Sequence, residues 1–171
     1  MNVAAYSASE RLRNGTELYI RALRPDDRGE MLDAVGRFSR ETLYRRFFVP
    51  KSSFNDREID FFLNIDFTNH VALVAVVDEG GRKIIAGGAR YIVSGRGTAE
   101  LAFAIDDAHQ GQGIATHLIG HLIGIARAAG LEKFVAEVLP GNAPMLKVLE
   151  RCGLAITTRR ERGVVHLTLA L

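Results

Sequence analysis

Hydrophobic and polar residues repeat along this chain with two periods, and each change of period marks a new element. Alternation with a period of two over residues 16–22 predicts a first strand. Apolar residues at helical spacing follow, and they predict helices over residues 25–38, 39–48 and 56–63. Residues 71–78 are rich in β-branched side chains and predict a buried strand. The first half of the chain therefore combines strands with short helices.

The second half of the chain alternates between strands and two longer helical patterns. One helix is predicted from a glycine-rich turn to about residue 129, and another over residues 142–153, where Asn142 can cap the first turn. Gly87-Gly88 interrupts an apolar strand and predicts a bulge or a close backbone approach. Each predicted strand in this half is bounded by turn residues. The strands cover residues 84–93, 101–105, 134–139, 155–160 and 164–169.

Length and composition indicate one soluble domain. The chain has 171 residues, of which 47% are hydrophobic and 25% charged, as is usual for a globular protein long enough to bury a core. A net charge of +2 is too small to indicate a nucleic-acid partner. The single cysteine rules out an internal disulfide and fits a cytoplasmic location.

The N-terminal segment lacks the features of a targeting sequence. Residues 1–15 contain no apolar core of the kind that a signal peptide needs, and they are expected to form a flexible tail before a single domain at 16–171. The longest apolar run, residues 118–126, contains a histidine and two glycines and is too short to cross a membrane. We therefore expect no membrane partner.

The stretch from Glu100 to Thr116, ELAFAIDDAHQGQGIAT, carries the clearest chemical signal. An apolar strand passes through a glycine-rich turn into a helix, and the first amides of a helix have no intrahelical partners. Together with the helix dipole they predict an anion site, most naturally for phosphate. No Lys-Ser/Thr follows the glycines, as a Walker loop requires, and the spacing does not match the dinucleotide fingerprint. A purely structural turn is the alternative.

The spacing Gln110-x-x-Gly113-x-Ala115 after an apolar strand resembles the acetyl-CoA pyrophosphate loop of the GNAT family of N-acetyltransferases. The resemblance is closest to bacterial Pat-type protein-lysine acetyltransferases, and it covers roughly residue 16 to the C-terminus. Further matching segments are LYRRFF (43–48), VALVAVV (71–77), GGARY (87–91) and EVLPGNAPM (137–145). The resemblance implies an α/β (α+β) GNAT fold, with a mixed central sheet of about seven strands and helices on both faces. It also implies acetyl-CoA as co-substrate and no metal.

The resemblance assigns cofactor roles to a defined set of residues. In the family, backbone groups of the strand hold the pantetheine arm, loop amides hold the pyrophosphate, and a following helix start lines the other side. The residues carried over are Phe103, Ala104, Ile105, Gln110, Gly111, Gln112, Gly113, Ile114, Ala115, Thr116, Asn142 and Met145. For the strand residues, core packing of the side chains is compatible with this role because the contacts are made by the backbone.

Two glutamates are candidates for the general base. Lysine has a pKa of about 10.4 and is protonated at neutral pH, so a carboxylate near the thioester has to accept its proton. Glu100 shares a strand face with Ala102 and Ala104, which leave room for a substrate, and Pat-like enzymes have a glutamate here. Glu137 matches the base of another branch of the family and is the second candidate.

One position departs from the family pattern. Many members have a tyrosine seven residues after the asparagine as general acid, and this chain has Leu149 there. Pat-like members also tend to lack this tyrosine. A water or the remote Tyr91 could supply the proton instead.

Other reactive side chains have simpler interpretations. His117 and His121 are spaced as a metal pair but are expected on a solvated helix face. Cys152 lies in the last turn of a helix, where the dipole disfavours a thiolate. Arg45-Arg46 either bind an anion or lie on a solvated face.

The acceptor is open at this level. A protein lysine is the leading hypothesis, a small amine the second, and a non-catalytic acyl-CoA sensor the third; a homodimer is possible. Residues 39–63 are expected to form one wall of the acceptor groove, with a basic rim that would repel a polyamine. Glu100 and Asp66 are the acids proposed to receive the cationic side chain.

Overall fold

The computed structural model describes residues 1–171, which form one eight-stranded sheet in the order β1-β2-β3-β4-β5-β6-β8-β7. The strands are β1 Ser7–Arg11, β2 Glu17–Ala22, β3 His70–Glu79, β4 Arg82–Gly95, β5 Thr98–Ile105, β6 Lys133–Val138, β7 Ile156–Glu161 and β8 Val164–Ala170. The helices are α1 Arg28–Gly36, α2 Arg40–Phe47, α3 Asp56–Leu63, α4 Ile114–Ala128 and α5 Ala143–Glu150. The predicted element order is therefore present, with one additional strand.

The pairing of β5 with β6 creates the main opening in the sheet. All other neighbouring strands are antiparallel, whereas β5 and β6 are parallel. Their pairing stops at Glu100 and Val135, although β5 stays paired with β4 up to Ile105 and β6 with β8 up to Val138. Beyond Glu100 the two strands diverge, and one edge of β5 is left without a strand partner.

The two faces of the sheet bury different side chains. One face packs against α4 in a core of 28 buried residues, which include Leu73, Leu101, Leu118 and Phe134. The residues of β3 that point the other way form a smaller core with α1 and α3. Alternation along β3, β4 and β5 places Glu100, Ala102 and Ala104 on this second face, opposite Leu101.

Short polar side chains fix where the covering helices begin. Ser39 accepts a hydrogen bond from the Thr42 amide at 3.1 Å and caps α2. Asn55 and Glu58 form a reciprocal capping box at the start of α3. These caps satisfy amides that would otherwise have no partner, and they set α2 and α3 above the second face of the sheet.

The predicted irregularity at Gly87-Gly88 is confirmed. The register between β3 and β4 shifts after Ala75, which pairs with Gly87, so that Ala86 is bulged. A Cβ atom on Gly87 would lie 2.6 Å from the Ala104 carbonyl oxygen, and one on Gly88 would lie 3.1 Å from the Leu73 carbonyl oxygen. Only glycine permits the close approach of β4 to β5 at Gly87, and Gly88 leaves little space between β4 and β3.

The N-terminal segment corrects the prediction of a flexible tail over residues 1–15. Residues Ser7–Arg11 form β1, an edge strand paired with β2, and Leu12 is buried. This strand explains why the sheet has eight strands rather than about seven. Its residues alternate between serine, alanine and charged side chains, so the apolar signal of a strand is absent from the sequence.

The same strand corrects the expected environment of two histidines. Glu10 of β1 lies 3.0 Å from Nε2 of His121 and 3.6 Å from Nδ1 of His117. The Tyr6 hydroxyl lies 2.5 Å from Nδ1 of His121. The two histidines on the polar side of α4 are therefore partly covered by the N-terminal segment instead of facing solvent.

Candidate active site

A groove of about 410 Å³ opens where β5 and β6 diverge. We call it the β5–β6 groove. The predicted site residues that line it are Glu100, Phe103, Ala104, Ile105, Gln110, Gly111, Gly113, Ile114, Ala115, Thr116, Glu137, Asn142 and Met145. Gln112 is the one candidate outside the lining, and its side-chain amide donates to the Ala108 carbonyl at 3.4 Å.

The glycine-rich turn presents unpaired amides to this groove. Gly113 adopts a positive φ of +94° directly before α4, and Gly111 has a φ of +77°. The first hydrogen bond of the helix runs from the His117 amide to the Gly113 carbonyl at 3.2 Å. The amides of residues 114–116 precede it and have no partner within the protein, so they are available to an anion.

Two consecutive aspartates hold the turn in place. Asp106 is fully buried and accepts hydrogen bonds from Arg37 Nε at 3.0 Å and from His109 Nδ1 at 2.5 Å. Asp107 accepts from the Ser39 amide at 2.8 Å and from the Thr42 hydroxyl at 3.0 Å. Sequence reasoning treated this pair only as the end of a strand. Two acids directly after an apolar run are the feature of the sequence that could have indicated their role in holding the turn.

Gln110 has a structural role in the same unit. Its Nε2 donates to the Ile105 carbonyl at 3.0 Å and to the Thr42 hydroxyl at 3.2 Å. The side chain therefore ties the turn to the end of β5 and to α2. The conformation of the amides in the groove is fixed by these bonds before any ligand binds, which lowers the ordering cost of binding.

The two candidate bases lie on opposite sides of the opening. Glu100 is exposed at the last β5–β6 pair, on the face that also carries Ala102 and Ala104. Glu137 lies on β6, opposite His166, and its carboxylate is 3.5 Å from His166 Nδ1. Both carboxylates line the same groove, and neither is held in a short ion pair with an arginine or lysine.

Comparison with known proteins decides the family, because residues 39–154 match the acetyltransferase (GNAT) family. The chain belongs to this family. It is 35% identical over 156 residues to Acetyltransferase Pat from Mycolicibacterium smegmatis, a match that covers 90% of this chain and 46% of that protein. It is 30% identical over 153 residues to Acetyltransferase PA5475 from Pseudomonas aeruginosa, covering 89% of this chain and 81% of that protein.

The fold agrees with this assignment. The crystal structure of the GNAT domain of S. lividans PAT has a TM-score of 0.87 and 35% identity, and the match covers 96% of this chain and 97% of that domain. The predicted GNAT fold and the acyltransferase class are thereby confirmed. The chain spans about half the length of the M. smegmatis Pat, 46% of it.

No tyrosine lines the groove of this GNAT domain. Leu149 is fully buried, so the position of the family's general acid is part of the core. Tyr91 is 1% exposed on the α4 side of the sheet, with its ring 5.6 Å from that of Phe134, and burial raises the pKa of its hydroxyl. Tyr91 cannot reach a thiolate in the groove.

Two further candidates from the sequence are fixed by hydrogen bonds to nearby amides. Asp66 accepts hydrogen bonds from the amides of Thr68, Asn69 and His70, which lower the pKa of its carboxyl to about 2. It shapes the turn before β3 and does not line the groove. Asn142 caps α5 by accepting from the Met145 amide at 3.3 Å, and its side chain is buried.

The structure contains neither a cluster of metal-binding side chains nor a helix able to span a membrane. No group of three or more His, Cys, Asp or Glu side chains is arranged to hold a metal ion. None of the helices combines the length and apolar character that a membrane span requires.

Proposed function

We propose that this domain is an acetyl-CoA-dependent N-acetyltransferase that transfers the acetyl group directly to a protein lysine, with Glu100 as general base. The observation that carries the proposal is the continuity of the β5–β6 groove. It joins the three unpaired amides at the start of α4 to a carboxylate at the other end of β5.

The groove supports binding of CoA through backbone groups. The pyrophosphate would accept hydrogen bonds from the amides of residues 114–116 at the positive end of the α4 dipole. The pantetheine arm would run along the unpaired edge of β5, at Phe103 to Ile105, in place of a strand partner. An amide of this edge directed at the thioester oxygen would stabilise the oxyanion of the tetrahedral intermediate.

Glu100 would accept the proton of the attacking amine, directly or through a water. The neutral amine nitrogen then bonds to the thioester carbonyl carbon, the C–S bond breaks, CoA leaves as the thiolate, and the nitrogen loses its second proton to solvent to give the neutral amide. Because no tyrosine lines the groove, the thiolate would be protonated by water after it leaves. Glu137 on the facing strand is the alternative base.

A protein lysine as acceptor follows from the resemblance to Pat-type enzymes, to one of which this chain is 35% identical. The charge around the groove is compatible with it. Arg45 and Arg46 of α2 line the opening and would repel a polyamine with several positive charges. A single lysine presented beside acidic neighbours would be tolerated, since Glu100 can receive its one charge.

Competition between acceptors tests this function. Acetyl-CoA is supplied together with a folded lysine-rich protein, spermidine and a panel of amino acids, and the acetylated products are identified by mass spectrometry. We expect labelling of the folded protein, and its loss with Glu100→Gln. Efficient acetylation of spermidine without labelling of the protein would refute the lysine acceptor. Binding of CoA without transfer to any amine would indicate a sensor module.

A further inference from the structure

A second cavity, of about 100 Å³, lies between the sheet and helices α1 to α3. We call it the apolar cavity, because 18 of its 22 lining residues are hydrophobic. Its floor is made of small residues on neighbouring strands, namely Ala72, Gly88, Ala102 and Ala104. It meets the β5–β6 groove at Ala102 to Ala104, beside the strand edge on which the thioester is proposed to lie.

Two arginines are the only charged residues that line this cavity, and neither forms an ion pair. Burial lowers the pKa of Arg46, and the charge of Glu100 across the groove offsets only part of this. Arg90 donates to the Phe62 carbonyl at 3.3 Å and to His70 Nε2 at 2.9 Å, both of which are neutral acceptors. Arg46 makes no hydrogen bond with its side chain and lies 4.8 Å from the centre of the Phe47 ring. Neither guanidinium has a carboxylate within ion-pair distance, in contrast to Arg21, Arg28 and Arg37.

The surroundings make this pair electrostatically unfavourable. Burial, and after it the nearby charge of Arg46, lowers the pKa of Arg90 to about 9, so that it stays protonated at neutral pH. Burial and the charge of Arg90 lower the pKa of His70 to about 4, so that this neighbour is neutral. Two positive charges beside an apolar cavity cost free energy unless an anion is present. The arrangement therefore fits an anionic ligand better than an apolar one.

We infer that the apolar cavity receives the acyl chain of a dicarboxylic acyl-CoA, with the terminal carboxylate bound between Arg46 and Arg90. This rests on the proposed acyl transfer and adds a second class of acyl donor to it. Planar guanidinium groups match carboxylates through paired hydrogen bonds, so the fit is one of shape as well as charge.

The position of Arg90 sets the length of such a chain. Arg90 lies directly opposite Ala102 on the neighbouring strand, and side chains paired in this way are roughly 4.5–5.5 Å apart at Cβ. A chain of four carbons extending from a thioester on β5 would bring its terminal carboxylate towards the guanidinium. In a cavity of about 100 Å³ an acetyl methyl would leave much of the space unfilled.

The acceptor is assigned to the other end of the site for a reason of charge. A lysine ammonium would be repelled by Arg90 and attracted by Glu100, which lines the open groove and not the apolar cavity. The chemistry is unchanged: the amine nitrogen bonds to the thioester carbonyl carbon, the C–S bond breaks, Glu100 takes the proton, and CoA leaves as thiolate. The transferred acyl group keeps its carboxylate.

The test compares two four-carbon acyl donors, one neutral and one anionic, with acetyl-CoA as the reference, on one lysine acceptor. kcat/KM is measured for acetyl-CoA, butyryl-CoA and succinyl-CoA with wild type, Arg46→Met and Arg90→Met. We expect succinyl-CoA to be a substrate of the wild type. We expect each variant to lower the succinyl-to-butyryl ratio by roughly 10- to 100-fold, the range for a hydrogen-bonded charge. Arg40→Met, on the exposed side of the same helix as Arg46, is the matched control and should leave the ratio unchanged.

The outcomes separate this inference from the proposed function. Acetyl-CoA turnover in the wild type reports on the function, and the donor ratio reports on the cavity. An unchanged ratio in both variants would overturn the inference. So would a wild type that transfers acetyl but not succinyl groups to the lysine acceptor. If Arg90→Met fails to fold because it loses two hydrogen bonds, Arg46→Met, which loses none, decides the question.

Discussion

At the scale of single residues, the position of Glu100 is set by the end of the pairing between β5 and β6. It is the last residue of β5 that pairs with β6, and the residues after it have no partner on that side. A carboxylate at this point lies at the apex of the groove without itself being buried. Glu137 lies on the facing strand and has His166 beside it. The two acids therefore differ in their neighbours, and substitution can separate their roles.

Replacing each glutamate by glutamine tests the assignment of the base. Glu100→Gln should lower kcat by a factor on the order of 10²–10⁴, the usual contribution of a positioned proton acceptor, and leave the affinity for acetyl-CoA nearly unchanged. Glu137→Gln should have a much smaller effect on kcat. Steady-state kinetics and calorimetric titration with acetyl-CoA provide the two measurements. Normal turnover in Glu100→Gln together with its loss in Glu137→Gln would reverse the roles.

At the scale of elements, the turn and α4 act as one preformed anion site. Asp106, Asp107 and Gln110 hold the turn against α2 and the end of β5, so the amides of residues 114–116 are oriented by the protein itself. Apart from Gly113 itself and its two chain neighbours, no protein atom lies within 4 Å of where a Cβ on Gly113 would be. A side chain there would meet only a ligand.

Replacing each of the two glycines that flank α4 by alanine separates the effect on ligand binding from the effect of backbone strain. Gly113 and Gly130 flank the helix with φ of +94° and +77°, and both have open space at the Cβ position. Each alanine should therefore cost roughly 1–2 kcal/mol of stability, the cost of a left-handed conformation. Only Gly113→Ala should weaken CoA binding, by about tenfold or more, equivalent to about 1.4 kcal/mol. Equal CoA affinity in the two variants, measured by calorimetry, would show that CoA does not approach the turn at Gly113.

At the scale of the whole molecule, the sequence predicted the elements that have a strong apolar period. The core strands β3 and β5 and helix α4 have continuous or periodic apolar residues, and burial follows those patterns. The groove residues could be predicted because the loop motif lies in one continuous stretch. The partners that hold the loop could not be, since Arg37 and Asp106 are 69 residues apart and meet only after α1 has packed on the sheet.

The pairing of Arg46 with Arg90 and the edge strand were missed for related reasons, although Arg46 itself was a candidate for binding an anion. Arg46 and Arg90 lie on α2 and β4, and their shared cavity exists only when these elements are packed together. Nothing in the sequence indicates that their charges lack a partner. Strand β1 is polar because one side of it faces solvent and the other contacts α4 through Glu10, next to the contact that Tyr6 makes just before the strand. A strand of this kind has no apolar period for sequence analysis to detect.

Truncation tests whether the N-terminal segment is part of the domain. Deleting residues 1–11 removes the pairing of β1 with β2 and the contacts of Tyr6 and Glu10 with α4. We expect the remaining core to fold with a Tm lower by several degrees, since each kcal/mol shifts Tm by about 2–4 °C in a domain of this size. Tyr6→Phe should give a smaller decrease, because it removes one hydrogen bond worth roughly 0.5–1.5 kcal/mol. Arg13→Ala, at an exposed position of the following turn, serves as the control and should not change Tm. A truncated protein with an unchanged Tm would mean that residues 1–11 contribute no stability, as the flexible tail predicted from the sequence would.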